Sequence, residues 1–301
     1  MLYQTQKKNV LITGGSGFLG RHLAQEIRKV HDVCATFAKR RINIPRCTTV
    51  CLNLLQDHTY QEVFKEFKPD VVVHCAAIAD AKKCEESRDV TQAVNVTGAE
   101  KLMRALPNKD ALFIYISTDL VFGGNDAPYN EQAQPEPVSV YGKSKRMAEQ
   151  AVQKTWKNHV ILRPSLIFGA AHPSGNGSFL QWMDTAFQEQ DEVQLFNDEF
   201  RTPVYVKDIC KAVSSLIVKV GHHRMYHLGG PERISRADFA RKLAAVRGYD
   251  VNKIKETSLS ELDTGYPRPK DVSLDSARMI EAHALRQTPI EDALKEIFSA
   301  V

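Results

Sequence analysis

The sequence predicts an α/β fold: a doubly wound parallel sheet followed by a smaller, mostly helical C-terminal lobe. Three observations predict it. Short apolar runs of strand length alternate with helical segments through the first half, a glycine-spaced turn joins the first strand to the first helix, and the rhythm changes beyond about residue 165. Val10–Thr13 is an apolar run closed by glycines, as a strand buried on both faces should be. Leu19, Leu23, Ile27 and Val30 then repeat at helical spacing and give the next element one apolar face. Strands are expected at Val33–Phe37, Thr49–Leu52, Val71–Cys75, Leu112–Ser117 and Val160–Arg163, with helices near 58–67, 86–106 and 139–157.

Gly and Pro become frequent between Gly169 and Gly177, which marks a loop. Helices follow near 178–188, 207–219, 235–247 and 290–299. Two carry start signals. Ser235-Arg-Ala-Asp238 reads as an N-cap, and Thr288-Pro-Ile-Glu291 as a capping box with proline in the first turn. The expected division is therefore 1–165 for a nucleotide-binding domain and 166–301 for a substrate lobe, partly interleaved with it. A ligand should lie between the lobe and the carboxyl ends of the strands.

Composition excludes several classes. The 301 residues are 43% hydrophobic and 25% charged, as in ordinary globular proteins. A net charge of +4 with dispersed basic residues does not suggest nucleic acid. The longest apolar stretch, 71–79, contains His74 and is too short to span a membrane, and the polar N-terminus does not read as a signal peptide. Six cysteines without a CxxC pair fit thiols in a reducing compartment, so a cytoplasmic protein is expected. His172, His222 and His223 have no partners at metal spacing, and no metal site is expected.

Gly14, Gly17 and Gly20 sit between the first strand and helix, in Thr13-Gly-Gly-Ser16-Gly-Phe18-Leu19-Gly20. Gly14 permits a tight turn, Gly17 admits a pyrophosphate against the backbone, and Gly20 allows close packing of helix on strand. The helix amides and dipole then face the phosphates, which is the Rossmann arrangement for a dinucleotide. The second strand ends in Lys39-Arg40 without a carboxylate. These cations favour the 2′-phosphate of NADP(H) over NAD(H), with a solvated basic turn as the alternative. Asn53 and Leu54 follow the third strand, where an adenine contact is plausible.

Tyr141 and Lys145 lie four residues apart on one helical face. A carbonyl reductase needs a proton donor, and a neighbouring ammonium is expected to lower the phenol toward neutral pH. Thr118, at a strand end in Ser117-Thr-Asp119, offers a hydroxyl to the carbonyl.

With Thr13-Gly-x-x-Gly-x-x-Gly20, Ser117-Thr-Asp-x-Val-Phe122, Val140-Tyr-Gly-Lys-Ser-Lys145 and Arg163-Pro-Ser165, the chain resembles the extended short-chain dehydrogenase/reductase superfamily over about residues 8–300. Within it, Arg268-Pro269 and Val272–Asp275 resemble dTDP-4-dehydrorhamnose reductases and their relatives, among them the regulatory β subunit of methionine adenosyltransferase. The resemblance implies Tyr141 as general acid, Lys145 as its partner, Thr118 as the carbonyl-orienting hydroxyl, and Asn95 as the active-site asparagine. It implies cofactor contacts at Gly14, Ser16, Gly17, Phe18, Leu19, Gly20, Lys39, Arg40, Asn53, Leu54, Ala76, Ala77, Tyr141 and Lys145. Thr118, Asp119, Ser165, Arg201 and Arg268 are the implied substrate contacts. Arg201 reads as a ligand anchor or an interlobe salt bridge, and Asp119 as part of the hydroxyl network or a turn cap.

Lys82 stands where rhamnose-pathway reductases tend to carry an acid, with Asp80 as a substitute. Trp182 and Phe187 line the pocket or fill the core. The implied activity is reduction of a keto group on a nucleotide-linked sugar. A non-catalytic NADP-binding regulatory subunit and a sugar epimerase are the alternatives, and a homodimer through helices 86–106 and 139–157 is the implied assembly.

Overall fold

The computed structural model describes residues 6–172 and 177–299. The first half runs β1 (Asn9–Thr13), α1 (Phe18–Ile27), β2 (Asp32–Phe37), β3 (Thr48–Cys51), α2 (Asp57–Glu66) and β4 (Val71–His74). It continues through α3 (Ala81–Glu86), α4 (Arg88–Gln92), α5 (Gly98–Ala105), β5 (Leu112–Ile116), α6 (Val140–Thr155) and β6 (His159–Pro164). The second half holds β7 (Ile167–Phe168), α7 (Phe179–Glu189), β8 (Val193–Phe196), β9 (Phe200–Arg201), β10 (Val204–Tyr205) and α8 (Val206–Val218). After these come β11 (Met225–Leu228), β12 (Ile234–Ser235), α9 (Arg236–Arg247), β13 (Ile254–Thr257), α10 (Ala277–His283) and α11 (Ile290–Ser299).

Seven strands form one parallel sheet in the order β11-β6-β5-β4-β1-β2-β3. Alternation along each strand sends side chains to opposite faces. Val10, Ile12 and Val73 enter one core with α1 and α8, while Leu11, Val72, Phe113 and Tyr115 enter the other with α2, α5 and α6. The first core continues without a break into the C-terminal lobe through Phe168, Met183, Phe187, Phe239 and Leu243. One sheet strand, β11, also comes from beyond residue 165, so the lobe and the sheet share both hydrogen bonds and core.

The structure corrects several sequence expectations. Val30 lies past the end of α1 and is exposed, because the chain must turn there into β2. Residues 86–106, expected as one helix, start as the separate α3, then run from α4 to α5 through a π turn at Ala93–Thr97. Thr288 and Glu291 do not form a capping box. Thr288 instead gives its amide and hydroxyl to Asp208 at 2.7 and 2.9 Å, and Glu291 accepts from Lys242 at 2.9 Å. The other start signal holds, with Ser235 Oγ accepting from Asp238 N at 3.0 Å. The lobe is less purely helical than expected, since β7–β10, β9–β12 and β8–β13 pair as three small sheets. Most of these strands have two residues, too short to carry a periodic pattern.

Candidate active site

The turn between β1 and α1 is shaped by its glycines. Gly14 has a φ of +69°, and a Cβ there would lie 2.9 Å from the Ala76 backbone. A Cβ on Gly20 would lie 2.3 Å from the Gly14 carbonyl oxygen, so Gly20 admits the helix to the turn itself rather than to the strand. Gly17 N donates to that same oxygen at 2.9 Å. No side chain caps α1, which leaves its leading amides facing the space above the sheet.

That space is a cavity of about 1030 Å3. Gly14, Gly17, Phe18, Leu19, Gly20, Lys39 and Ala77 line one end. Arg40 is exposed and, like Ser16, lies outside the lining. The Arg21 guanidinium, buried behind Gly20, is held below its ordinary value by burial and by the Arg40 charge. Ala76 forms the wall behind the turn, its amide donating to Thr13 Oγ1 at 3.2 Å. Asn53 and Leu54 do not line the cavity. Asn53 Oδ1 closes the turn into α2 by accepting from Leu55 N at 3.1 Å, and Leu54 is buried against Gly98.

Tyr141, Lys145, Thr118, Asp119 and Ser165 meet midway along the cavity. Gly142 decides this meeting, because a Cβ there would lie 2.1 Å from the Leu120 carbonyl oxygen. Only glycine lets the first turn of α6 press onto the 119–121 turn and set Tyr141 beside Thr118. Ser139 caps α6 by accepting from Gly142 N at 3.1 Å. Asn95, in the π turn, lies outside the lining and braces this region. Its amide bonds Ile78 N and O at 2.8 and 3.0 Å and Ser144 Oγ at 2.9 Å, and Ser144 Oγ donates to the Tyr141 carbonyl at 2.7 Å.

The expected acidification of the phenol does not appear. Burial pushes Tyr141 well above the ordinary tyrosine value, with only the Thr118 hydroxyl pulling it down. The Lys145 ammonium donates to Ile116 O at 2.6 Å and lies 4.1 Å from the centre of the Tyr115 ring. Burial lowers Lys145 to about 8, against the pull of Glu149 and Cys75. Thr118 Oγ1 donates to Asp119 Oδ1 at 3.1 Å and accepts from Leu120 N at 3.2 Å.

A guanidinium cluster closes the other end. Arg201 NH1 lies 3.1 Å from Asp119 Oδ2, which also accepts from Ser165 Oγ at 3.0 Å. Glu199, fully buried, takes Arg201 at 3.1 Å, Arg236 at 3.0 Å, and Arg268 through both Nε and NH2. Burial alone would raise this carboxyl, but Arg236, Arg201 and Arg268 together hold it well below the usual range. Arg201 is thus both ion-paired and at the cavity, whereas Arg268 lies outside the lining. With NH1 of Arg201 held by Asp119, Nε of Arg201 and both Nε and NH1 of Arg236 are buried with no hydrogen-bond partner among the described residues.

Arg236 was not singled out by sequence reasoning. Its signal was a cation at the first position of a helix, where the dipole opposes it. Asp80 lines the cavity and caps α3, accepting from Lys83 N at 3.1 Å, whereas Lys82 is exposed. Phe187 is buried in the core, while Trp182 is 52% exposed beside Phe179. Among the described residues, no cluster of His, Cys, Asp and Glu could hold a metal, and no helix is long and apolar enough to cross a membrane.

Comparison with known proteins gives one family and a consistent set of relatives. The RmlD substrate binding domain family matches residues 8–301. The chain is 28% identical to the probable low-salt glycan biosynthesis reductase Agl14 of Haloferax volcanii, covering 96% of this chain and 97% of the relative. It is 26% identical to methionine adenosyltransferase 2 subunit beta of Xenopus laevis, covering 96% and 86%. The crystal structure of dTDP-4-dehydrorhamnose reductase from Bacillus anthracis in complex with NADP superposes with a TM-score of 0.85 at 27% identity, covering 98% of this chain and all of that one.

Proposed function

The chain belongs to the RmlD substrate binding domain family, and we propose that it is an NADP(H)-preferring reductase of a keto group on a nucleotide-linked sugar. One observation carries the reading: a single cavity joins a glycine turn fit for a dinucleotide, a buried phenol with a hydroxyl beside it, and guanidinium groups with unpartnered N–H bonds.

The fit to a dinucleotide rests on the turn, whose shape needs glycine at 14 and 20 because Cβ atoms there would strike the Ala76 backbone and the Gly14 carbonyl. Gly14, Gly17 and Gly20 and the leading amides of α1 would hold the phosphates, with Lys39 and Arg40 nearest a 2′-phosphate. The bound nicotinamide supplies hydride. Tyr141 keeps its proton at neutral pH because burial disfavours the phenolate, which suits it to donate from its hydroxyl to a carbonyl oxygen being reduced. Thr118, whose own proton goes to Asp119, lies within hydrogen-bond reach of the phenol and would help orient it. The lysine ammonium at the cavity floor adds a positive charge that favours the developing alkoxide. At the far end, Arg201 and Arg236 have N–H groups to offer a diphosphate. Residues 1–165 would then bind cofactor and 166–301 substrate.

The test is to mix the protein with NADPH and a panel of nucleotide-linked 4-keto sugars and follow the loss of reduced-nicotinamide absorbance. Consumption that depends on one sugar supports the reading. Tight NADPH binding with no turnover across the panel would instead favour a regulatory subunit, a second reading motivated by the similarity to methionine adenosyltransferase 2 subunit beta.

A further inference from the structure

Taking Lys145 in the role given above, we propose that Tyr115 is its positioning residue, the ring face holding the ammonium at the cavity floor and keeping it charged. Lys145 is buried and makes one hydrogen bond, to Ile116 O, and among the described residues it has no ion pair. A cation removed from water in this way needs an offset. Glu149, one turn further along α6, is committed elsewhere. Its carboxylate takes Arg163 at 2.8 and 2.7 Å, Ser117 at 2.6 Å and Arg146 at 3.1 Å. The group that meets the ammonium directly is the Tyr115 ring, 4.1 Å from Nζ to the centroid.

The hydroxyl of Tyr115 adds to the case by doing nothing. It is buried with no hydrogen-bond partner among the described residues, so what this position uses is an aromatic face. Four titratable groups face Lys145: Tyr115 on β5, Glu149 on α6, His74 on β4 and Cys75 just after it. His74 sits opposite Tyr115 in the sheet and is driven down to about 3 by burial and by Lys145, so it brings no second cation. Burial pushes the Cys75 thiol up to about 12, so it brings no anion at neutral pH. Glu149 supports the charge from beyond ion-pair distance, whereas the Tyr115 π face meets the ammonium directly.

The test reads Lys145 in the cofactor-free protein, so that its failure is separate from failure of the reductase reading. The ε-methylene of 13C-labelled lysine is followed by NMR against pH, and the Lys145 signal is assigned by its loss in Lys145→Arg. In the wild type it should be shifted upfield by the Tyr115 ring current and titrate near pH 8. Tyr115→Leu should abolish the upfield shift and lower the midpoint by about one pH unit, because losing a desolvated cation–π contact disfavours the charged form. Tyr115→Phe should restore both properties. NADPH affinity should fall above the same midpoint and follow it in the leucine variant. An ordinary chemical shift in the wild type would overturn the assignment, and this readout stands even if the leucine variant does not fold. An unmoved midpoint in Tyr115→Leu, or an equal displacement in Tyr115→Phe, would also overturn it. Absence of NADPH binding would count against the cofactor reading alone.

Discussion

The two ends of the cavity are built by opposite means. At the glycine end, contiguous backbone makes the surface: four glycines within seven residues, a turn closed by its own amide, and uncapped helix amides. At the guanidinium end, charged side chains from β9, α9 and the loop holding Arg268 converge on one carboxylate, and only Arg201, two residues from Glu199, is its near neighbour in the chain. The first is rigid because extra atoms will not fit. The second is held by charges that must balance, and it keeps N–H groups in reserve.

The largest effect should come from the residue between the two ends. Tyr141→Phe should lower turnover by about 10²–10⁴-fold, the range expected for general acid catalysis, while NADPH affinity and stability stay near wild type. Steady-state kinetics alongside cofactor titration checks this, and turnover within a few-fold of wild type would remove Tyr141 from its role. Next, Glu199→Gln should destabilise the fold by about 3–5 kcal/mol in denaturant unfolding, since it leaves guanidinium groups buried without their counter-charge. A loss below about 1 kcal/mol would mean the cluster does not depend on that carboxylate.

The same carboxylate has a pH signature. Its value is depressed in the folded state, so the unfolded chain binds the proton more readily. Stability from Glu199 is therefore complete above the ordinary glutamate value of 4.5 and lost progressively as pH falls below it. The wild-type protein should show this acid limb more steeply than Glu199→Gln.

At the glycine end, Gly20→Ala should cost about 1–3 kcal/mol by overpacking and weaken NADPH accordingly. The smallest effect should separate cofactors. Lys39→Ala and Arg40→Ala should each weaken NADPH about tenfold, with NADH little affected, as loss of one charge-assisted hydrogen bond implies. Equal losses for both cofactors in fluorescence titrations would dismiss the 2′-phosphate contact.

Legibility in the sequence followed this same division. The glycine turn, the strands and Tyr141 could be read because each depends on neighbours within a few residues. Asn95 could be singled out, but not its bracing of Ile78 and Ser144, because the π turn that aims it has no simple residue signature. Arg236 escaped notice because its glutamate lies 37 residues away, and Arg201 stayed ambiguous between ligand anchor and salt bridge because its second carboxylate, Asp119, comes from a distant turn at the cavity. The phenol was misjudged in sign. Helical spacing put Lys145 on the same face as Tyr141, but packing gave its ammonium to Ile116 and Tyr115 instead.

By itself, then, the sequence determined the doubly wound sheet, its dinucleotide turn and the residue types gathered at the strand ends, since backbone sterics and periodicity act over short distances. Only the tertiary structure decided which charges neutralise each other and which protons stay in place. Those outcomes depend on burial and on contacts between segments far apart in the chain, and a Coulomb energy is fixed by distance in space rather than along the sequence.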